Sequence, residues 1–188
     1  MKEYKIELCG VERTLPFIPI NDTTAFASFV GLGDTELGSA CAPELVKRIG
    51  QGDAVVTAEA KGIALAYEIS RLLGLKEFIV ARKSTKTYMK NVVSASVHSI
   101  TTAGEQHLYL DGVDADKIRG KRVCLLDDVI STGESLHALE VLMDNAGASV
   151  VKKPASLAAG DAASRDDIIF LQKLPLFHKT AEGEYEII

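Results

Sequence analysis

The chain has 188 residues, 47% of them hydrophobic and 25% charged, with a formal net charge of −5. That is enough for one domain with a full core; it excludes a general basic field for nucleic acid, and no apolar run approaches a membrane span. The scattered Cys9, Cys41 and Cys124 suit a reducing cytoplasm better than a disulfide framework, and MKEYKIELCG has no signal-peptide block.

In chain order, Tyr4, Ile6 and Leu8 alternate as a strand, and Cys9-Gly10 turns toward a second strand near Thr14 to Phe17. Pro16 and Pro19 argue against a central strand there. Asn21-Asp22-Thr23-Thr24 reads as a helix cap before Ala25 to Val30, and Pro43 as the first turn of a helix ending about Ile49. Asp53 to Thr57 is a strand and Gly62 to Leu73 a helix, with Ile63, Ala66, Tyr67 and Leu73 on one face and Gly74 past its end. Phe78 to Ala81 is the next strand. Val92 to Ile100 and His107 to Leu110 read as a hairpin turning at Thr102 to Glu105, an insertion and a candidate mobile lid over about 84–104. Val123 to Leu126 is a strand, about Ser135 to Asn145 a helix closed by Gly147, and Val150-Val151 starts another strand. Cys124, inside an apolar strand, reads as a small buried hydrophobe. Ile168 to Phe177 reads as a closing strand with a Leu-Pro-Leu-Phe turn. Alternating strands and helices imply a mostly parallel sheet with right-handed crossovers. Ligands bind such sheets beyond the strand C-termini.

Three stretches exit at that edge. VCLLDDVISTGES, Val123 to Ser135, runs an apolar strand into Asp127 and Asp128, then a Ser/Thr/Gly loop and a helix. A helix N-terminus has unpaired N–H groups and a dipole that favour an anion. A phosphate cup beside two carboxylates suits a ligand carrying a phosphate, vicinal hydroxyls and a metal ion. The loop has no Gly-Lys-Ser/Thr ending and is not a Walker A sequence. In Thr57-Ala58-Glu59-Ala60-Lys61-Gly62, small residues let the backbone approach a ligand, and Lys61 places a cation where only an anion makes it comfortable. Arg82, Lys83 and Lys86 cluster directly after a strand.

The order strand, acid pair, Ser/Ala-Thr-Gly loop resembles the 5-phosphoribosyl 1-diphosphate (PRPP) signature of type I phosphoribosyltransferases. Glu59-Ala60-Lys61-Gly62 resembles the Glu-Ala-Arg-Gly of the adenine branch, and Arg82-Lys83 its Arg-Lys pair. The resemblance implies an α/β type I fold over 1–188, a hood from about 1–20 and the tail from about 168, and a homodimer. It implies transfer of phosphoribosyl from PRPP to a purine, adenine favoured, giving a nucleoside monophosphate such as AMP and diphosphate, with Mg²⁺ as cofactor. Asp127 and Asp128 would hold the ribose hydroxyls and the metal's waters. Ser131, Thr132, Gly133, Glu134 and Ser135 would bind the 5′-phosphate. Glu59, Ala60, Lys61, Gly62, Arg82 and Lys83 would face the diphosphate. Lys86 and Tyr88 would act from the mobile loop, and Leu157 would pack on the base. Typical adenine enzymes carry a loop Glu where this chain has Tyr88-Met89-Lys90-Asn91, which leaves xanthine, hypoxanthine, guanine or orotate open. A non-catalytic PRPP-sensing regulator is the other alternative; too few residues precede the core for a helix-turn-helix.

Overall fold

The structure is a computed structural model and describes residues 2–98 and 105–188. The chain opens with β1 (Tyr4–Leu8), β2 (Val11–Leu15), β3 (Phe17–Pro19) and β4 (Thr24–Ala27). The expected helix over Ala25 to Val30 does not form: its first half belongs to β4, and residues 28–30 are irregular. The capping chemistry exists but serves a turn: the Asn21 side-chain oxygen accepts from the N–H of Thr23 and Thr24 at 2.9 and 2.8 Å, an Asx-type turn. Then follow α1 (Thr35–Ile49), β5 (Ala54–Ala58), α2 (Ile63–Leu72) and β6 (Ile79–Ala81). Helix α1 begins eight residues before Pro43, which lies inside it. Its N-cap is Asp34, whose side chain accepts from Leu37 N–H at 3.1 Å. On α2 the buried residues are Leu65, Ala66, Ile69 and Ser70, while Tyr67 is exposed, contrary to the expected face.

The hairpin is β7 (Val93–His98) with β8 (Glu105–Leu110), followed by α3 (Gly112–Ile118), which the sequence reading did not expect. The expected turn over 102–104 lies outside the described residues. The remaining elements are β9 (Arg122–Ile130), α4 (Glu134–Ala146), β10 (Ser149–Lys152), β11 (Pro154–Ala159), a 3₁₀ turn over Gly160–Ser164, β12 (Ile169–Leu174), β13 (Leu176–Lys179) and β14 (Tyr185–Ile187).

The main sheet runs β12-β11-β9-β5-β6, with β10 also on β9, and all these pairs are parallel. The hairpin joins at the β6 edge, where Arg82 and Tyr109 exchange N–H···O bonds of 2.8 Å. Its base is part of the core, because Ala95, Leu108 and Leu110 are buried with the α4 residues. A small antiparallel sheet, β14-β13-β4-β3, and the β1–β2 hairpin stand over one face. The tail from 168 divides between the sheets: β12 is an edge of the main sheet, and only β13 and β14 join the small one.

The apolar residues form two layers. One holds α3, α4 and the hairpin base; the other holds α1, α2 and the N-terminal strands. Strand alternation divides them: Val56 and Leu125 face the first, Val55 and Leu126 the second. Leu136, Leu139, Leu142, Met143 and Ala146 of α4 are all buried, at the helical spacing expected. Among the described residues no helix is long and apolar enough to cross a membrane.

Candidate active site

Strand β9 runs four residues further than its apolar stretch and carries the acid pair inside the ladder. Alternation sends the two carboxylates to opposite layers. Asp127 lines the cup at the start of α4; Asp128 lines a small cavity shared with Cys41, Lys61, Leu65 and Ser156. Each side chain holds the next backbone N–H: Asp127 Oδ1 accepts from Asp128 at 2.8 Å and Asp128 Oδ1 from Val129 at 2.9 Å. Burial and the neighbouring Asp128 charge push the Asp127 carboxyl up to about 7, opposed weakly by Lys61. Asp128 is only 4% exposed, and its Oδ2 is buried without a hydrogen-bond partner. An unpartnered buried carboxylate oxygen is costly to the fold and calls for a ligand-based explanation.

The cup is made by Ser131, Thr132, Gly133, Ser135 and the end of β9. Gly133 is the N-cap of α4, with φ of 82°, and no side chain caps the helix there. An open first turn of this kind, past the Glu134 N–H, suits an anion. Glu134 can serve only through its N–H, which Thr132 Oγ1 accepts at 3.4 Å.

A second helix start faces the same edge. Gly62 is the N-cap of α2, again without a side-chain cap. Its φ is −75°, so conformation does not demand glycine; space does, because a Cβ would overlap Thr57 Oγ1 and lie 3.4 Å from Leu126 O. The Glu59–Ala60 peptide is cis, and Ala60 and Lys61 are exposed. Lys61 has no ion-pair partner among the described residues and lines both the Asp128 cavity and the larger one described below. Glu59 is a tether between loops: its Oε2 accepts from Lys83 N–H at 2.7 Å, and its Oε1 lies 3.1 Å from Arg82 Nε. Arg82 and Lys83 are thereby tied to the loop that carries Lys61. Neither Lys86 nor Tyr88 lines the cup or the larger cavity; Lys86 Nζ donates to Ser84 Oγ at 2.8 Å, and Tyr88 is exposed.

A cavity of about 510 Å³ lies between the small sheet and the ends of β9 and β11. Ile20, Phe26, Phe29, Leu174 and Leu176 make it apolar, while Lys61, Ser131, Thr132 and Asp161 bring polar groups to it. Leu157, expected on the base, is a correction: it is fully buried in the middle of β11 with sheet neighbours on both sides. The wall of the cavity at that strand is Ala159-Gly160-Asp161. Phe26 and Phe29 enter the cavity wall because this segment is β4 and its extension, where the sequence predicts a helix. No local signal marks Arg165, whose Nη1 lies 2.5 Å from where a Cβ on Gly133 would be.

No cluster of three or more His, Cys, Asp or Glu side chains suits a metal among the described residues. Two adjacent carboxylates, one with an unpartnered oxygen, fit a hard cation held mainly by water and ligand oxygens.

The family model described as "Phosphoribosyl transferase domain" matches residues 41–182. A hypoxanthine/guanine phosphoribosyltransferase of Methanococcus voltae is 36% identical over 113 residues, 60% of this chain and 56% of that protein, so the match spans little more than half of the relative. The HGPRTase-like protein 3 of Haloterrigena turkmenica is 30% identical over 82% of this chain and 83% of its own length. The crystal structure of adenine phosphoribosyltransferase from Thermoanaerobacter pseudethanolicus superposes with a TM-score of 0.70 at 22% identity, covering 85% of this chain and 95% of that one. That likeness is one of fold, and it agrees with the central parallel sheet and flanking helices described above. With the family model spanning both helix starts and the acid pair between them, the chain belongs to the type I phosphoribosyltransferase family.

Proposed function

We propose that the protein transfers the phosphoribosyl group of PRPP to a purine. The observation that carries this reading is the arrangement of two helix starts without a side-chain cap on either side of the buried Asp127–Asp128 pair, with Lys61 from one loop and Ser131 and Thr132 from the other lining one apolar cavity. The reaction breaks the bond from ribose C1 to the diphosphate oxygen and forms one from C1 to a purine nitrogen. Little covalent help is needed; the enzyme must hold the diphosphate, stabilise developing charge and exclude water. Residues 131–135 would bind the 5′-phosphate, and Lys61, Arg82 and Lys83 would face the leaving diphosphate. Asp127 and Asp128 would accept from the ribose hydroxyls and hold Mg²⁺ through its waters. Mg²⁺, when bound, neutralises diphosphate charge. The segment carrying Lys86 and Tyr88 would reach the site by closing over it, and the small sheet would cover the base. A homodimer in the cytoplasm is part of the same reading.

For the base we favour a 6-oxopurine. Asp161 puts a carboxylate at the cavity, and a 6-oxopurine offers it a ring N–H where adenine offers a lone pair. The sequence relatives named above act on hypoxanthine and guanine by name, and the loop lacks the adenine branch's Glu. Adenine remains the second reading, supported by Glu59-Ala60-Lys61-Gly62 and Arg82-Lys83. Competition of hypoxanthine, guanine, xanthine and adenine in one assay with PRPP and Mg²⁺ decides between them. Preference for hypoxanthine or guanine is expected; preference for adenine overturns the base assignment, and PRPP binding without turnover of any base supports the sensor.

A further inference from the structure

Arg165 follows the 3₁₀ turn Gly160–Ser164. Its guanidinium is gripped on one edge by Asp167, with Nε donating to Oδ1 at 2.8 Å and Nη2 to Oδ2 at 2.7 Å. Asp167 also accepts from Lys153 Nζ, and that ammonium donates to Glu140 Oε1 at 2.8 Å. Lys153 is mostly buried, so the four charged groups form a packed, self-neutralised cluster beside α4. The two cations hold the Asp167 carboxyl far below the usual carboxylate range.

This cluster leaves one part of the guanidinium unused. A planar fork that commits Nε and Nη2 to one carboxylate presents Nη1 outward in a fixed direction. Nη1 has no hydrogen-bond partner among the described residues. It points at Gly133, where an added Cβ would lie 2.5 Å from it. Gly133 is the uncapped N-cap of α4 and the middle of the phosphate cup. A cationic donor with a fixed direction therefore stands against the loop that opens α4. Its carboxylate partner lies two residues along the chain, outside the residues that line the cup.

We propose that Arg165 is a further binding residue for the 5′-phosphate, donating from Nη1 to a phosphate oxygen, with Asp167 as its positioning residue. The inference rests on the reading of residues 131–135 as the 5′-phosphate site. It gives Gly133 a second reason to be glycine, since any side chain there would displace the guanidinium.

Titration calorimetry with ribose 5-phosphate and, separately, inorganic diphosphate tests it on the full chain. Arg165→Gln is expected to weaken ribose 5-phosphate about tenfold or more and to leave diphosphate affinity within about twofold. Arg165→Lys keeps the charge but loses the fork and is expected to lie between. Asp167→Asn frees the guanidinium from its orientation and is expected to raise KM for PRPP with kcat largely kept. Melting temperatures of all three separate binding from folding; if Arg165→Gln does not fold, the Lys and Asn variants carry the test. Wild-type affinity for ribose 5-phosphate in Arg165→Gln, or in both other variants, overturns the inference alone. Equal losses for ribose 5-phosphate and diphosphate make the role structural and also overturn it. A wild-type chain that binds neither ribose 5-phosphate nor PRPP overturns the parent reading of the site.

Discussion

The layers on the two faces of the main sheet meet the site with different chemistry. On the α4 side, Asp127 opens into a cup whose glycine has φ of 82° and whose rear is an ion cluster. On the α1–α2 side, Asp128 opens into a small cavity beside Lys61, and the glycine at the start of α2 has an ordinary helical φ. Neither helix start has a side-chain cap at its glycine, yet Gly62 answers to space alone, while Gly133 answers to its left-handed backbone and to the guanidinium of Arg165. The two acids differ in the same way: Asp127 is pushed toward protonation by its neighbour and burial, while Asp128 is held by one N–H with its second oxygen unpartnered. Adjacent residues of one strand thus supply distinct groups because the pleat sends them to different layers.

The strongest way to break this comparison is at Asp128. Asp128→Asn removes a buried charge with an unpartnered oxygen, so Tm should hold or rise while turnover falls ~10²-fold or more. Thermal unfolding and steady-state rates on the same preparation check it; normal turnover removes Asp128 from the site. The two glycines come next. Gly62→Ala should cost about 1–3 kcal/mol from overpacking, and Thr57→Ala in the same chain should return most of it. Gly133→Ala should cost about 1–2 kcal/mol for the left-handed backbone, and Thr57→Ala should not help. Denaturant unfolding of the single and double variants reads both; rescue at both positions, or at neither, collapses the distinction.

The other acid is tested by the pH dependence from Asp127. Its folded pKa, raised to about 7, exceeds the unfolded value of about 3.9, so the folded state binds the proton more tightly. The stability this contributes is full below about pH 4 and is lost as pH rises through about 7. Asp127→Asn should therefore melt higher than the parent at pH 8, with the gap closing toward pH 4. A gap that grows on acidification would reverse the sign. In kcat/KM for PRPP, where the carboxylate form is needed, the parent should show an acid limb near 7 that the variant lacks.

The sequence by itself determined the elements whose signals are local. The 3.6-residue period of α4, the run Val123 to Leu126 and the loop Ser131 to Ser135 place the acid pair and the cup at the start of α4 at one sheet edge. Glu59, Lys61, Arg82 and Lys83 could be assigned to that edge because each directly follows a parallel strand. Only the tertiary structure decided what depends on distant pairing. Thr24–Ala27 is a strand because it sits between β3 and β13, with Leu176 opposite Phe26, and no nearby residue announces a partner 150 positions away. Leu157 became core and Asp161 a cavity wall because β12 covers β11, fixing how far that strand is buried before its end is exposed. The tether from Glu59 to Arg82 and Lys83, and the aim of Arg165 at Gly133, join residues far apart in the chain. Their geometry comes from loop closure and packing, which local propensity does not encode.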